Sequence, residues 1–159
     1  MRGFRARGLL VALAAVSSLT WISIANADVS GGLRGGFSSS PDQFLVGGQL
    51  ELSPVAEHLY IIPSAEVGFG DDLTTLAFNG DLQYRFAVHN SKVRPYAGGG
   101  LSVYYVNVNN GGGSDTNLGV DVLGGIYFNE SSGNPMFVDV KAGLTDEVPD
   151  WKFIFGIDF

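Results

Sequence analysis

Residues 28–159 predict an all-β fold, an eight-stranded antiparallel up-and-down barrel. Three observations point there. Apolar residues recur at every second position rather than every third or fourth, so helical periodicity is nearly absent. Eight such segments follow one another, separated by short clusters of Gly, Ser, Asn, Asp and Pro. Links this short between consecutive strands favour antiparallel neighbours and hence a meander.

Each segment splits into two faces. The first, about 29–38, sets Leu33 and Phe37 against Arg34 and Ser38. The second, 44–52, sets Phe44, Val46, Leu50 and Leu52 against Gln49 and Glu51. The third, 59–70, has Leu59, Ile61, Ala65, Val67 and Phe69 opposite Ser64 and Glu66. The fourth, 73–86, is the cleanest: Leu76, Phe78, Leu82, Tyr84 and Phe86 alternate with Asn79, Asp81, Gln83 and Arg85. In the fifth, 93–107, Ala97, Leu101, Val103 and Tyr105 oppose Arg94, Tyr96, Ser102 and Tyr104. The sixth, 117–128, places Leu118, Val120, Val122, Ile126 and Phe128 against Asp121 and Tyr127. The seventh, 136–144, places Met136, Val138, Val140 and Leu144 against Asp139 and Lys141. The eighth, 150–159, carries Trp151, Phe153, Phe155, Ile157 and Phe159 on one face and Lys152 and Asp158 on the other.

Turn chemistry falls at 38–42, 53–54, 70–72, 89–91, 109–113, 131–134 and 145–147. Pro63 lies inside a strand pattern and Pro95 near the start of another; each removes a ladder donor, which predicts bulges or strand-end positions there.

The first 27 residues read as a secretory leader. Arg2, Arg5 and Arg7 precede an apolar stretch over 9–24, and Ala25-Asn26-Ala27 offers the small-x-small site for cleavage. An uncleaved anchor is disfavoured by Ser17, Ser18, Thr20 and Ser23, which interrupt the stretch. Residues 28–159 are then a single barrel domain with six basic and sixteen acidic residues, a net charge of −10. Such a chain repels phosphate backbones, so nucleic acid is a poor partner. With no cysteine, the exported fold uses neither disulfides nor thiolate metal ligands. No later apolar run is long enough for a membrane-spanning helix, so any membrane role must be built from strands.

Alternation alone does not say which face meets solvent. A soluble, lipocalin-like barrel buries the apolar face; a transmembrane barrel turns it to lipid. Three features favour lipid. The polar face mixes Arg34, Arg85, Arg94, Lys141 and Lys152 with Glu51, Glu66, Asp81, Asp121, Asp139 and Asp158, and is padded with Gly and Ser. That suits a narrow lumen in which charges compensate one another. The apolar face is sorted along its length. With both termini periplasmic, Phe37, Phe44, Phe69, Tyr105 and Trp151 fall near the outer end, and Tyr84, Phe86, Phe128 and Phe159 near the inner one. Aliphatic residues lie mostly between, with Phe78, Phe153 and Phe155 as exceptions; belts of this kind match headgroup boundaries. Finally, residues 151–159 alternate without a break and finish on Phe159, an edge that would aggregate in a soluble protein.

That last segment resembles the C-terminal signature of bacterial outer-membrane proteins, with Phe159, Ile157 and Phe155 at the matching positions. The stretches 63–70 (PSAEVGFG) and 93–101 (VRPYAGGGL), followed by Tyr104 and Tyr105, resemble the opacity/OmpX-like family of small barrels. The resemblance covers the organisation of all 132 residues after the leader, but these stretches alone in motif. It implies an outer-membrane location and recognition by the barrel-assembly machinery through the C-terminal strand. It implies almost nothing about activity.

The residues give no catalytic, cofactor or metal site. An eight-stranded barrel has room for little more than its own side chains, which argues against a general porin. Asp81, Asp121 and Asp139 could form an acid/base group on neighbouring strands; a salt-bridged plug with Arg85 and Lys141 is the favoured reading. The two histidines, His58 and His89, fall in turns on the periplasmic side, the wrong leaflet for chemistry on surface lipid. The Gly111–Gly113 tip lacks the lysine and helix of a phosphate loop. The predicted outer loops are acidic, with Asp42, Asp71, Asp72, Asp115, Asp146, Glu147 and Asp150, which suggests sharing of divalent cations with lipopolysaccharide phosphates. The expected protein is therefore a monomeric structural or interaction barrel in contact with outer-membrane lipids and lipopolysaccharide. A lipid-modifying enzyme, a narrow channel or small-ligand carrier, and a soluble periplasmic ligand-binding barrel are the alternatives.

Overall fold

The computed structural model describes residues 29–52, 54–70, 73–88, 92–108, 113–129, 133–146 and 148–159. The expected leader and its cleavage site lie outside the described residues, as do Asp71, Asp72, residues 89–91, Gly111, Gly112 and Glu147. Eight strands follow in order: β1 (Val29–Ser39), β2 (Gln43–Leu52), β3 (Leu59–Phe69), β4 (Leu73–Arg85), β5 (Val93–Val108), β6 (Ser114–Phe128), β7 (Met136–Gly143) and β8 (Trp151–Asp158). Each pairs antiparallel with its sequence neighbours, and β8 closes onto β1, so the sheet is a closed barrel without edges along its shared height.

The register fixes the shape. Stepping straight across from Tyr84 leads through Ala97, Gly124, Val140, Phe153, Phe37, Phe44 and Phe69 and returns to β4 at Thr74, ten residues from the start. A stagger of that size over eight strands requires a strand tilt of about 45° and an interior only just wide enough for side chains. The strands run very close inside it. A Cβ at Gly36, Gly47 or Gly98 would collide with the backbone carbonyl of Phe153, Ala65 or Leu82 on the adjoining strand.

Strand limits follow the alternation closely except in β6, which begins at Ser114 rather than 117. Ser114, Asp115 and Thr116 carry no apolar alternation; they are strand because Asn107, Val106 and Tyr105 pair with them. Of the two outcomes expected at Pro63 and Pro95, bulges or strand-end positions, the structure shows ladder ends and no bulge. The β3–β4 register runs unbroken through Pro63↔Gly80, and the β5–β6 register through Pro95↔Ile126. The missing donors fall instead where ladders stop. Pairing of β3 with β2 ends at Ser64, and Pro95 accepts from Phe86 N just beyond the last β4–β5 pair, Arg85↔Tyr96.

The two faces separate as the alternation predicts, apolar outward. Leu33 is 61% exposed, Leu101 60% and Trp151 54%, while Arg34, Glu66, Asp81, Asp139, Lys141 and Lys152 are all buried. An apolar exterior around a charged interior inverts the arrangement of a soluble barrel, and is stable only where lipid covers the outside. The aromatic belt is more continuous than the strand ends suggest. Phe153, an exception to the sorting when strands are read singly, stands in register with Phe37, which continues to Phe44 and Phe69. Phe37 and Phe44 meet edge to face at 5.4 Å.

Candidate functional site

The inward residues form three layers along the barrel axis. Nearest the chain termini lies an apolar and aromatic cluster of Tyr96, Leu123, Tyr127, Phe137 and Ile154. At the opposite end a smaller cluster joins Ala77, Tyr104 and Val148. Charged side chains fill the space between them. The lumen is thus not uniformly polar, as the alternation suggested. Leu123, Phe137 and Ile154 share the parity of Asp121, Asp139 and Lys152, so the alternation turns these apolar side chains inward.

Four cations, Arg34, Arg85, Lys141 and Lys152, and five acids, Glu66, Asp81, Asp121, Asp139 and Asp158, are buried inside the barrel, and all but Arg85 and Asp158 lie away from the termini end. Lys141 Nζ donates to both oxygens of Asp81 at 2.6 and 2.5 Å and lies 3.9 Å from Asp121 Oδ1. Arg34 Nε stands 3.0 Å from Glu66 Oε1, Arg34 Nη1 is 4.0 Å from Asp81 Oδ2, and Lys152 Nζ donates to Glu66 at 2.8 Å. Neutral groups complete the network. Ser102 Oγ lies within hydrogen-bond reach of Asn79 Oδ1 (2.8 Å) and Asp121 Oδ2 (3.0 Å), and Asn79 donates to Ser64. Gln49 bridges by accepting from Arg34 and donating to Asp158.

Backbone placement explains this convergence. Asp81, Gly100 and Asp121 occupy one cross-strand row on β4, β5 and β6. Gly100 has no side chain, and its Cβ position is taken by Asp81 Oδ1 and by Asp121 Oδ1, which would lie 2.8 Å from it. The two carboxylates lean into that space from either side, and the Lys141 ammonium sits with them where a free cation would otherwise be needed.

The other expected members separate. Asp139 accepts from Tyr96 OH at 3.1 Å, on the border of the aromatic cluster. Arg85 is held at the termini end by Glu51, with Nη1 donating at 3.1 Å, and its guanidinium lies between the rings of Tyr60 (4.0 Å) and Tyr127 (4.2 Å). That stacked, planar arrangement is one an arginine makes and a lysine does not. Tyr60 and its role were not evident in the sequence, because a stack across three strands depends on register.

His58 sits in the β2–β3 turn, 3.5 Å from Glu57 and edge-on to the Tyr84 ring; His89 is outside the described residues. Of the acidic loop residues, Asp115 Oδ1 accepts from Thr116 N, and Asp42, Asp146 and Asp150 are exposed. Among the described residues, no group of three or more His, Cys, Asp or Glu is placed to hold a metal ion. The arrangement compensates charge and fills volume; no described hydroxyl is paired with an imidazole.

Comparison with protein-family models and with characterised proteins gives no match. Several solved structures are similar. The N-terminal β-barrel domain of Pseudomonas aeruginosa OprF matches with a TM-score of 0.69 at 17% identity, over 82% of this chain and 95% of that one. Neisserial surface protein A matches at 0.61 and 17% identity, over 82% and 92% of the two chains. A de novo designed transmembrane β-barrel matches at 0.55 and 15% identity, again over 82% and 92%. At such identities the likeness is one of fold. The chain has the fold of the small eight-stranded barrels of bacterial outer membranes.

Proposed function

We propose that this chain is a resident of the bacterial outer membrane with a structural or interaction role in the cell envelope, and is neither a general porin nor an enzyme. The observation that carries this reading is the filled lumen. Paired charges occupy its middle, and packed side chains occupy both ends. An aqueous pore needs a continuous file wider than water, which an eight-stranded barrel leaves only when its inward side chains are small. Against catalysis, His58 stands with Glu57 and Tyr84 rather than with a nucleophile. The partners this implies are membrane lipids and lipopolysaccharide, with the C-terminal strand as the element offered to the assembly machinery and the folded protein a monomer.

Recording from planar bilayers tests the reading. Purified, refolded protein is expected to leave the baseline flat; stable, discrete conductance steps at protein concentrations that give one insertion would overturn it.

A further inference from the structure

We propose that the barrel end opposite the termini is closed by a latch. In it, Val148 and Pro149, the residues that lead into the start of β8, insert into the mouth of the lumen, in a socket shaped by two glycines. The inference deepens the reading of a closed lumen by assigning the closure to one segment.

The chain after β7 first extends the sheet and then turns inward. Leu144 N donates to Val120 O at 2.9 Å, which adds one rung to the β6–β7 register beyond Asp121↔Gly143. The Leu144 side chain points outward, 61% exposed. Thr145 Oγ1 then accepts from Val120 N at 3.3 Å, and Thr145 O accepts from Val148 N at 3.3 Å. Gly143 N donates to Asp150 O at 3.0 Å, which brings the segment back to the start of β8. The chain therefore straddles the rim, with Leu144 on the outside and Val148, 5% exposed, on the inside.

The socket fits that one side chain. Val148 packs with Ala77 of β4 and Tyr104 of β5. The remaining walls are Gly119 of β6 and Gly143 of β7, both at inward positions. A Cβ on Gly119 would fall on Val148 Cγ1, and one on Gly143 would lie 2.6 Å from Val148 Cγ2 and from Pro149 O. Four separate strands thus supply small or flat groups around a branched apolar residue, an arrangement that a loop merely lying over the mouth does not require. Beneath the socket, Lys152 Nζ lies 4.9 Å from the Tyr104 ring centroid and pairs with Glu66. Lifting the latch would open the charged layer to solvent from this side.

Because the chain has no cysteine, Ala77→Cys introduces a single thiol at the socket floor. The test is its reaction with a charged, membrane-impermeant thiosulfonate in the folded barrel in vesicles, with folding confirmed by heat-dependent gel mobility. With the latch intact the thiol is expected to be protected; adding Val148→Gly should speed its reaction by about tenfold or more. Gly119→Ala, which crowds Val148 without altering it, should also accelerate labelling, and decides the matter if Val148→Gly does not fold. Equal, fast labelling in all backgrounds, or protection that persists in both latch variants, would overturn the assignment. A non-conducting native barrel with no labelling difference would reject the latch and leave the closed lumen standing. Conductance by the native barrel would reject the closed lumen itself.

Discussion

Replacing Lys141 with methionine removes the cation shared by Asp81 and Asp121 while keeping most of the side-chain volume. Both carboxylates are buried, and the lost contacts are the 2.6 and 2.5 Å bonds to Asp81 and the 3.9 Å approach to Asp121. Stranding one partner of a buried ion pair costs about 3–5 kcal/mol. Asp81 keeps Arg34 Nη1 at 4.0 Å and Asp121 keeps the Ser102 hydroxyl, so the lower end applies. The expected loss is about 3 kcal/mol, roughly two orders of magnitude in the folded-to-unfolded ratio. The assay is urea unfolding in lipid vesicles, followed by tryptophan fluorescence. Adding Asp81→Asn to Lys141→Met removes the charge left behind, and should bring stability back to within about 1 kcal/mol of the parent. A single variant as stable as the parent, or a double variant no better than the single, would refute the account of the lumen as a charge-compensated core.

Two further outcomes are expected, one from the barrel's packing and one from the acidic residues of the sequence. Gly98→Ala places a methyl against the Leu82 carbonyl, where backbone rather than a flexible side chain must yield. It should cost about 1–3 kcal/mol and lower the temperature at which the gel-mobility shift occurs, whereas Gly80→Ala, whose Cβ meets open space, should leave it unchanged. Neutralising Asp71, Asp72, Asp146 and Glu147 together should raise detergent sensitivity of cells when Mg²⁺ is scarce; unchanged sensitivity would remove the idea of cation sharing at the rim.

Much of this molecule is written in its period-two alternation. A side chain in a strand can face only two ways, so once Asp81 is inward, Asn79, Gln83 and Arg85 must be too. That reasoning placed Arg34, Glu66, Lys141 and Lys152 inside before any register was known. Register was what it lacked. That Lys141 meets Asp81 across 60 positions, whereas Arg85 turns to Glu51, depends on a ten-residue stagger accumulated over eight strand pairings. No local pattern encodes such a sum. The apolar lumen ends were hidden for a different reason. Phe137 and Ile154 are hydrophobic on the inner face, where only their parity with Asp139 and Lys152, and not their chemistry, points inward. Val148 was hidden because it lies in a connection, where neither period nor propensity applies.

The central claim is that the apolar face of this barrel lies in lipid, and Trp151 reports on it directly. It is the one tryptophan in residues 28–159 and stands on the outward face of β8, 54% exposed. Residues 28–159, refolded into vesicles containing lipids brominated at shallow acyl positions, should give blue-shifted emission that the bromines quench strongly. Emission typical of water, unaffected by brominated lipid in protein that is demonstrably folded, would contradict the account.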